Sequence, residues 1–211
     1  VPALLRDGTA IVVSPLIALM QDQVHNLCRR GIAATCINST LSRDEQRRRL
    51  MRLREGKIKL LYIAPERFRQ SSLMDALSQQ PISLLAVDEA HCISLWGHDF
   101  RPDYLRLGHL INQLSHPVVM ALTATAPPMV QDDILNKLCI PDAQRIVSGF
   151  DRPNLCYHVL QCYGERQKIS WMVTCLRTHP RDSTLIYVAT RAAAVELADS
   201  LSRTLERSVL C

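Results

Sequence analysis

The sequence predicts an α/β fold in which a parallel sheet is covered by helices on both faces. Short, almost continuous apolar runs alternate with longer stretches whose apolar residues recur at helical spacing. Strands that are apolar throughout are typical of a parallel sheet buried on both sides. The 211 residues are 47% hydrophobic, which is enough to form a sizeable core.

Five strands are predicted in the first part of the chain. We expect them at residues 10–13, 35–38, 59–64, 83–87 and 118–122. Between the first two strands, Ser14 and Pro15 predict an N-cap followed by proline at the first helical position. The apolar face predicted for this helix, which we expect to pack into the core, comprises Leu16, Leu19, Met20, Val24 and Leu27.

The remaining helices are predicted from their capping residues. Residues 42–45 fit a capping box and open a helix that ends at Gly56. Further helices are expected from about Ser72 and from about Pro127. With them, a predicted helix follows every predicted strand of this part except the fourth, which is followed by a long polar and aromatic stretch.

A second, smaller unit is predicted after a linker at residues 148–154. The predicted domains are 1–149 and 150–211, and the second holds strands at 155–160 and 184–189 with helices from about Gln167 and from Thr190. A complete α/β domain usually needs about 100 residues or more. The start at Val1 has no initiator Met and no basic segment typical of a signal peptide. We therefore expect a piece of a longer protein with an incomplete second domain.

Composition excludes several classes of protein. No apolar run reaches the roughly 18 residues that a membrane span requires. The eight cysteines form no C-x-x-C pair, so a zinc site is not expected, and reduced thiols favour a cytosolic or nuclear protein. The net charge of +5 is compatible with a polyanionic partner and is also common among soluble proteins.

A pair of carboxylates follows the predicted strand 83–87. In an open parallel sheet, ligands bind at the carboxyl ends of the strands. Asp88 could hold a hydrated Mg²⁺ there, and Glu89 could orient and deprotonate a water molecule. An acidic pair that caps the N-terminus of a helix is an equally good interpretation of these two residues alone.

Aromatic residues are concentrated directly behind this pair. They make up only 5% of the chain, yet Trp96, Phe100 and Tyr104 fall within nine positions, beside the cationic Arg101. Aromatic faces next to a cation form a platform on which unpaired bases stack. The alternative is a small hydrophobic core under a loop, which suits Trp96 or Tyr104 individually.

These segments resemble the RecQ family of DNA helicases. Residues 88–104 are similar to the family's Walker B box, D-E-A-H, and its aromatic-rich loop. The resemblance continues in the family's order over essentially the whole chain, at residues 13–24, 62–67, 121–126, 150–154 and 185–191. It implies a RecA-like lobe at 1–149, a truncated second RecA-like lobe at 150–211, and an ATP-dependent 3′-to-5′ DNA helicase of repair and recombination. ATP, Mg²⁺, and single-stranded and partly duplex DNA are the implied ligands.

The resemblance also implies roles for individual residues. Asp88 would hold Mg²⁺ through water, Glu89 would activate the attacking water, and His91 would couple the nucleotide site to the aromatic loop. Nucleic acid would be bound by Ser14, Trp96, Phe100 and Arg101, and Thr123 and Thr125 would couple the two lobes. Ser14 and the two threonines can equally be helix caps. The arginine-rich helix that starts near Arg43 is more typical of a solvated face than of a DNA contact.

The chain departs from the RecQ pattern in several respects, since the family's upstream Gln motif and its later motifs, including the arginine finger, the zinc-binding module and the winged helix, do not occur in it. It contains no G-x-x-x-x-G-K-[ST] phosphate loop, and Leu95 stands where the family usually has Gln. We therefore expect no meaningful ATPase activity from these 211 residues alone. Two other functions stay open, another superfamily 2 motor such as an RNA helicase, and a non-catalytic DNA-binding or interaction module.

Overall fold

The structure is a computed structural model, and it describes residues 1–114, 117–149, 152–180, 182–206 and 208–211. The chain forms two compact units, Val1–Ile146 and Val147–Cys211. At the predicted junction, Phe150 and Asp151 lie outside the described residues. The assignment of the two units as helicase lobes stays a prediction.

The first unit is built on a five-stranded parallel sheet with the order β2-β3-β1-β4-β5. The strands are β1 Thr9–Val13, β2 Ala34–Ile37, β3 Leu60–Ile63, β4 Ile82–Val87 and β5 Val118–Ala121. The helices are α1 Pro2–Leu5, α2 Ile17–Arg29, α3 Arg43–Arg54, α4 Ser71–Ser78, α5 Leu107–Gln113 and α6 Pro128–Lys137. Short 3₁₀ helices lie at Pro65–Arg69, Ala90–Ile93 and Pro102–Arg106. The predicted parallel sheet with helices is confirmed.

Helices cover both faces of this sheet, because successive side chains of each strand point to opposite sides. On one face, Ile11, Ile63 and Val87 pack with residues of α3, α4, α5 and α6. On the other face, Ala10 and Tyr62 pack with Ala3 of α1 and Met20 of α2. The middle strands are therefore buried on both sides, which explains their apolar sequences.

The N-cap predicted for α2 is wrong, although the Ser42 cap of α3 is confirmed. The helix begins at Ile17, and the Ser14 hydroxyl is instead directed to another strand. Ser42 accepts a hydrogen bond from the Glu45 N–H at 3.2 Å. The predicted apolar stripe of α2 is confirmed only in part. Met20 is buried, but Leu16 precedes the helix and Leu19 lies about 100° around it from Met20, and both are exposed.

The second unit contains α7, Glu165–Thr178, and α8, Arg191–Leu205. Thr190 caps α8 by accepting a hydrogen bond from the Ala193 N–H at 3.2 Å. The strands predicted at 155–160 and 184–189 are not formed, because neither segment has a pairing partner among the described residues. Their apolar side chains are accordingly exposed. Of the helices in the described part of the chain, none is long and apolar enough to cross a membrane.

Candidate active site

Three strands of the first unit end at the same edge of the sheet and place the candidate residues there. β1 ends just before Ser14, β4 ends just before Asp88, and β5 ends shortly before Thr123. Two backbone hydrogen bonds extend the pairing beyond the strands, from Asp88 N–H to the Val13 carbonyl at 2.9 Å and from Leu122 N–H to the Val87 carbonyl at 2.8 Å. Ser14, Asp88 and Thr123 therefore converge at the carboxyl edge of the sheet.

Three hydrogen bonds hold Asp88, two at its carboxylate and one at its backbone carbonyl. The Ser14 hydroxyl donates to Oδ2 at 3.3 Å, and the Glu89 N–H donates to Oδ1 at 3.0 Å. The Tyr104 hydroxyl donates to the Asp88 carbonyl oxygen at 3.0 Å. Because Ser14 is only 2% exposed, its side chain is a partner of Asp88 and not a surface group. The carboxylate is thereby oriented at the end of an interior strand.

Glu89 turns the chain sharply out of β4. Its φ of 47° lies in the left-handed region, which costs free energy for a residue that is not glycine. The turn directs the chain into the 3₁₀ helix Ala90–Ile93, whose four residues are all buried. Glu89 itself stays half-buried at the edge of the sheet, with its carboxylate near His91.

His91 connects the carboxylate pair to the next strand and to the loop behind it. Its Nδ1 lies 3.3 Å from Glu89 Oε2 and 2.9 Å from Thr123 Oγ1. Its ring stacks on that of His98, with 4.2 Å between the ring centroids. Burial and the neighbouring His98 lower the pKa of His91 below its ordinary value, which favours the neutral imidazole.

The two predicted coupling threonines belong to one short turn. The Thr125 N–H donates to Thr123 Oγ1 at 3.3 Å, and the Thr123 hydroxyl lies 3.3 Å from the Thr125 carbonyl oxygen. Neither caps α6, whose N-cap position is Pro127 and has no capping side chain. Thr123 is thus the residue of this turn that contacts the D-E-A-H box.

The aromatic-rich stretch divides into a buried and an exposed part. Tyr104 is fully buried, which confirms the small-core interpretation for that residue. Trp96 is 68% exposed and the neighbouring Leu95 is 65% exposed, while Phe100 is half-buried. Trp96 is therefore the aromatic ring of this stretch that is free to meet a ligand.

Arg101 is engaged with Asp99. Its Nε and Nη2 donate to Asp99 Oδ2 at 3.0 and 2.8 Å, and these bonds lower the pKa of the Asp99 carboxyl group. The Arg101 N–H also donates to the Cys92 carbonyl at 2.8 Å, which ties the loop to the 3₁₀ helix. Burial raises the pKa of the Cys92 thiol to about 11, so this cysteine is an unreactive packing residue.

Comparison with known proteins identifies the family of this arrangement. The DEAD/DEAH box helicase model matches residues 1–134. The chain belongs to the DEAD/DEAH box helicase family. It is 44% identical over 204 residues to the ATP-dependent DNA helicase RecQ of Bacillus subtilis, an alignment that covers 96% of this chain and 34% of the relative. It is 41% identical over 220 aligned residues to the ATP-dependent DNA helicase Q5 of Mus musculus, with 95% and 22% coverage.

A solved structure shares the fold at low sequence identity. The helicase Lhr of Mycobacterium smegmatis, bound to ssDNA and AMP-PNP, has a TM-score of 0.62 and 20% identity, covering 94% of this chain and 28% of that chain. The RecA-like fold predicted from the sequence is therefore confirmed. The chain spans about a third of the length of the RecQ relatives that it matches, such as the 34% covered in the Bacillus subtilis protein.

The donor groups fit the magnesium ion that nucleotide-hydrolysing helicases typically use. The described residues include no group of three or more His, Cys, Asp or Glu side chains that could hold a metal ion by themselves. Mg²⁺ bound to a nucleotide does not need such a group, since it keeps several waters and takes one or two carboxylates plus phosphate oxygens. Asp88, held by Ser14 and still partly exposed, suits that mode of binding.

Sequence reasoning gave no role of their own to three residues that shape this site, although two of them, Gly97 and His98, stand among the aromatic residues of the loop. His98 stacks on His91, Asp99 holds Arg101, and Gly97 passes so close to the box that a Cβ there would lie 2.5 Å from the His91 carbonyl oxygen. A glycine and a histidine within an aromatic loop carry no periodic signal. Only the closed shape of the loop brings them against the 3₁₀ helix.

Proposed function

We propose that this chain is part of an ATP-dependent DNA helicase of the RecQ type, which couples ATP hydrolysis to movement along single-stranded DNA and to duplex unwinding. The observation that carries the proposal is the network that joins Glu89, His91 and Thr123 at the carboxyl edge of the sheet. The RecQ relatives, 44% identical in one case, support the choice of DNA as the substrate. The 3′-to-5′ polarity and a role in repair and recombination rest on the resemblance to RecQ alone.

In the proposed hydrolysis step, Asp88 and Glu89 have different tasks. Asp88 would hold the hydrated Mg²⁺ that accompanies ATP, and the ion would supply charge neutralisation at the phosphates. Glu89 orients the attacking water and accepts its proton. The Ser14 hydroxyl keeps the Asp88 carboxylate in place, since it donates to Oδ2.

His91 is proposed to report the state of the DNA-binding loop to Glu89. The neutral ring is held between the Glu89 carboxylate, the Thr123 hydroxyl and the His98 ring. A displacement of His98 by bound DNA would therefore move a direct neighbour of the water-activating carboxylate. Thr123 and Thr125 would transmit the same change to the second lobe, as the resemblance implies.

Single-stranded DNA is proposed to bind on the exposed side of the aromatic loop. The Trp96 ring would stack on a base, with Phe100 supporting it, and Arg101 would exchange its bond with Asp99 for a phosphate or a base. Because Ser14 is buried, it would contribute to phosphate binding only through the exposed start of α2 behind it. Such a protein would act where chromosomal DNA is found, in the bacterial cytoplasm or the nucleus.

The substitution Glu89→Gln in the full-length protein tests the hydrolytic role. The amide keeps the shape of the side chain but cannot accept a proton, so DNA-stimulated ATP hydrolysis should fall by about 10²- to 10⁴-fold. Affinity for single-stranded DNA should stay unchanged in a fluorescence anisotropy titration. Glu55→Gln, at an exposed acidic residue directly after α3, serves as the charge-matched control and should hydrolyse ATP as the wild type does.

Three results would contradict the proposal. ATP hydrolysis at the wild-type rate in Glu89→Gln would exclude Glu89 as the base. If single-stranded RNA stimulates the wild-type protein as strongly as DNA of the same sequence does, the RNA-helicase alternative is favoured over the RecQ type. If no nucleic acid stimulates hydrolysis, the non-catalytic module is favoured.

A further inference from the structure

A groove runs along the free edge of the sheet in the first unit, away from the D-E-A-H box. β2 is the outermost strand, next to β3, and α2 and α3 flank its free edge. Together they enclose a cavity of about 500 Å³, which we call the edge groove. Its floor is residues 34–36, and its walls include Val24, His25 and Cys28 of α2 and Arg48, Arg49 and Arg52 of α3.

Side chains already occupy two backbone carbonyls of β2. The carbonyl oxygens of Ala33 and Ile37 accept hydrogen bonds from Lys59 N–H and Ala64 N–H on the β3 side. The carbonyls of Ala34 and Cys36 accept from side chains instead, from the Cys28 thiol at 3.4 Å and from Arg49 Nη1 at 2.6 Å. Because these two carbonyls are already bonded, we expect an occupant of the edge groove to bind mainly through side chains.

The edge groove is positively charged. Three arginines face one carboxylate, Glu45, which leaves a net charge of two positive when His25 is neutral. Glu45 pairs with Arg49 at 2.8 Å and with Arg48 at 2.5 Å, and these hydrogen bonds hold the pKa of its carboxyl group below the ordinary value. Arg48 is still 68% exposed, and Arg52 is exposed as well. Guanidinium groups of this kind bind carboxylates through paired hydrogen bonds.

The lining favours a peptide over single-stranded nucleic acid. Sites for single strands combine basic residues with aromatic rings that stack on the bases, and no Trp, Tyr or Phe lines the edge groove. Val24, Cys28 and Ala34 instead give the groove an apolar strip between the charged groups. The groove also lies apart from the proposed DNA-binding loop, because β2 is three strands, or about 14 Å, from β4.

We propose that the edge groove binds an acidic segment of a protein partner, in which Asp or Glu residues alternate with small apolar residues. The carboxylates of the segment pair with Arg48 and Arg52, and its apolar side chains pack over Val24 and Ala34. This interaction is separate from ATP hydrolysis and DNA binding. It gives the lateral edge of the sheet a docking role that the helicase reaction does not require.

The test uses the full-length protein and a short fluorescent peptide in which Asp and Glu alternate with Leu and Val. Fluorescence anisotropy should show binding that weakens as salt is raised. Reversing both exposed charges, in Arg48→Glu with Arg52→Glu, should weaken binding by about tenfold or more. The milder pair Arg48→Gln with Arg52→Gln should weaken it less, and thermal unfolding checks that both variants fold.

Arg47→Glu is the matched control, because Arg47 is an exposed arginine of the same helix that does not line the edge groove. It should bind the peptide as the wild type does. Occupancy can also be located directly, since bound peptide should slow alkylation of Cys28 while leaving the exposed Cys139 unaffected. Mass spectrometry of digested protein distinguishes the two thiols.

Three results with the peptide would overturn the inference, and a competition experiment with single-stranded DNA gives a fourth. The three peptide results are unchanged binding in the Arg48 and Arg52 double variants, an equal loss in Arg47→Glu, and equal binding of a peptide with Asn and Gln in place of Asp and Glu. If single-stranded DNA displaces the peptide, and the same double variant weakens the binding of that DNA, the edge groove is a nucleic-acid site and the peptide assignment is wrong. None of these measurements depends on ATPase activity, so the proposed helicase function stands or falls separately.

Discussion

The D-E-A-H box and the loop that follows it are adjacent in sequence but differ in burial. Residues 90–93 are all buried, whereas Leu95 and Trp96 are about two-thirds exposed. The box is fixed by hydrogen bonds to β1, to β5 and to Tyr104. The loop is joined to it through His98 and Arg101. If the proposed function is correct, the groups proposed for hydrolysis are held in place in advance, and the exposed loop presents the surface proposed to respond to DNA.

The largest effect that separates the two regions is expected from Trp96→Ala in the full-length protein. Loss of a stacked base costs about 1–3 kcal/mol, so activation by single-stranded DNA should require about tenfold or more DNA. Hydrolysis without DNA and thermal stability should change little, because the side chain is 68% exposed. ATPase assays over a range of DNA concentrations measure both quantities.

Trp171→Ala is the matched control for this experiment. Trp171 lies on α7 of the second unit and is 46% exposed, so the same substitution is made outside the loop. It should leave the DNA dependence of hydrolysis as it is. Unchanged DNA activation in both Trp96→Ala and Arg101→Ala would mean that the loop is not a stacking platform.

A second experiment acts on the boundary between the two regions. A Cβ at Gly97 would lie 2.5 Å from the His91 carbonyl oxygen, so Gly97→Ala must push the loop away from the box. Forced displacements of this kind typically cost about 1–3 kcal/mol of unfolding free energy. We expect such a loss of stability in chemical denaturation, together with weaker stimulation of ATP hydrolysis by DNA.

Gly108→Ala separates the loss of coupling from the loss of stability. A Cβ there would lie 2.3 Å from the Lys137 carbonyl oxygen, which is a similar clash between α5 and the end of α6. It should destabilise the protein to a similar extent without changing the ratio of DNA-stimulated to basal hydrolysis. A similar fall of that ratio in both variants would show that general destabilisation explains the effect of Gly97→Ala.

The sequence predicted the features of the first unit that depend on short-range patterns. The five strands, the Ser42 cap and the carboxylate pair at the end of β4 all follow from apolar runs and neighbouring residues. The contacts between distant segments could not be predicted in this way. The bond from Ser14 to Asp88 spans 74 positions, and α2 begins only at Ile17, without the N-cap that the local sequence favoured.

In the second unit, sequence patterns predicted the helices correctly and the strands wrongly. Residues 155–160 and 184–189 have apolar sequences typical of strands, yet they form no ladder among the described residues. A strand exists only when its N–H and C=O groups find a partner strand, and hydrophobic patterning does not specify that partner. The helices α7 and α8 form as predicted, because their hydrogen bonds are internal to each segment.

The smallest expected effect concerns the protonation of His91, which links the two regions. Burial and His98 lower its pKa from the ordinary 6.5, while Glu89 and Asp99 act in the opposite direction and Arg101 adds to the lowering. A lowered pKa in the folded state means that the unfolded chain binds more protons in this range. The stabilisation by neutral His91 is therefore complete above about pH 6.5 and is lost as pH falls through the folded pKa.

We expect the melting temperature of wild type to fall toward that of His91→Gln as the pH is lowered from about 7.5 to about 5.5. His109→Gln, an exposed histidine of α5, should show no such convergence. A difference between wild type and His91→Gln that stays constant over this range would mean that His91 does not titrate with unfolding, and that its contacts hold the box and the loop together regardless of charge.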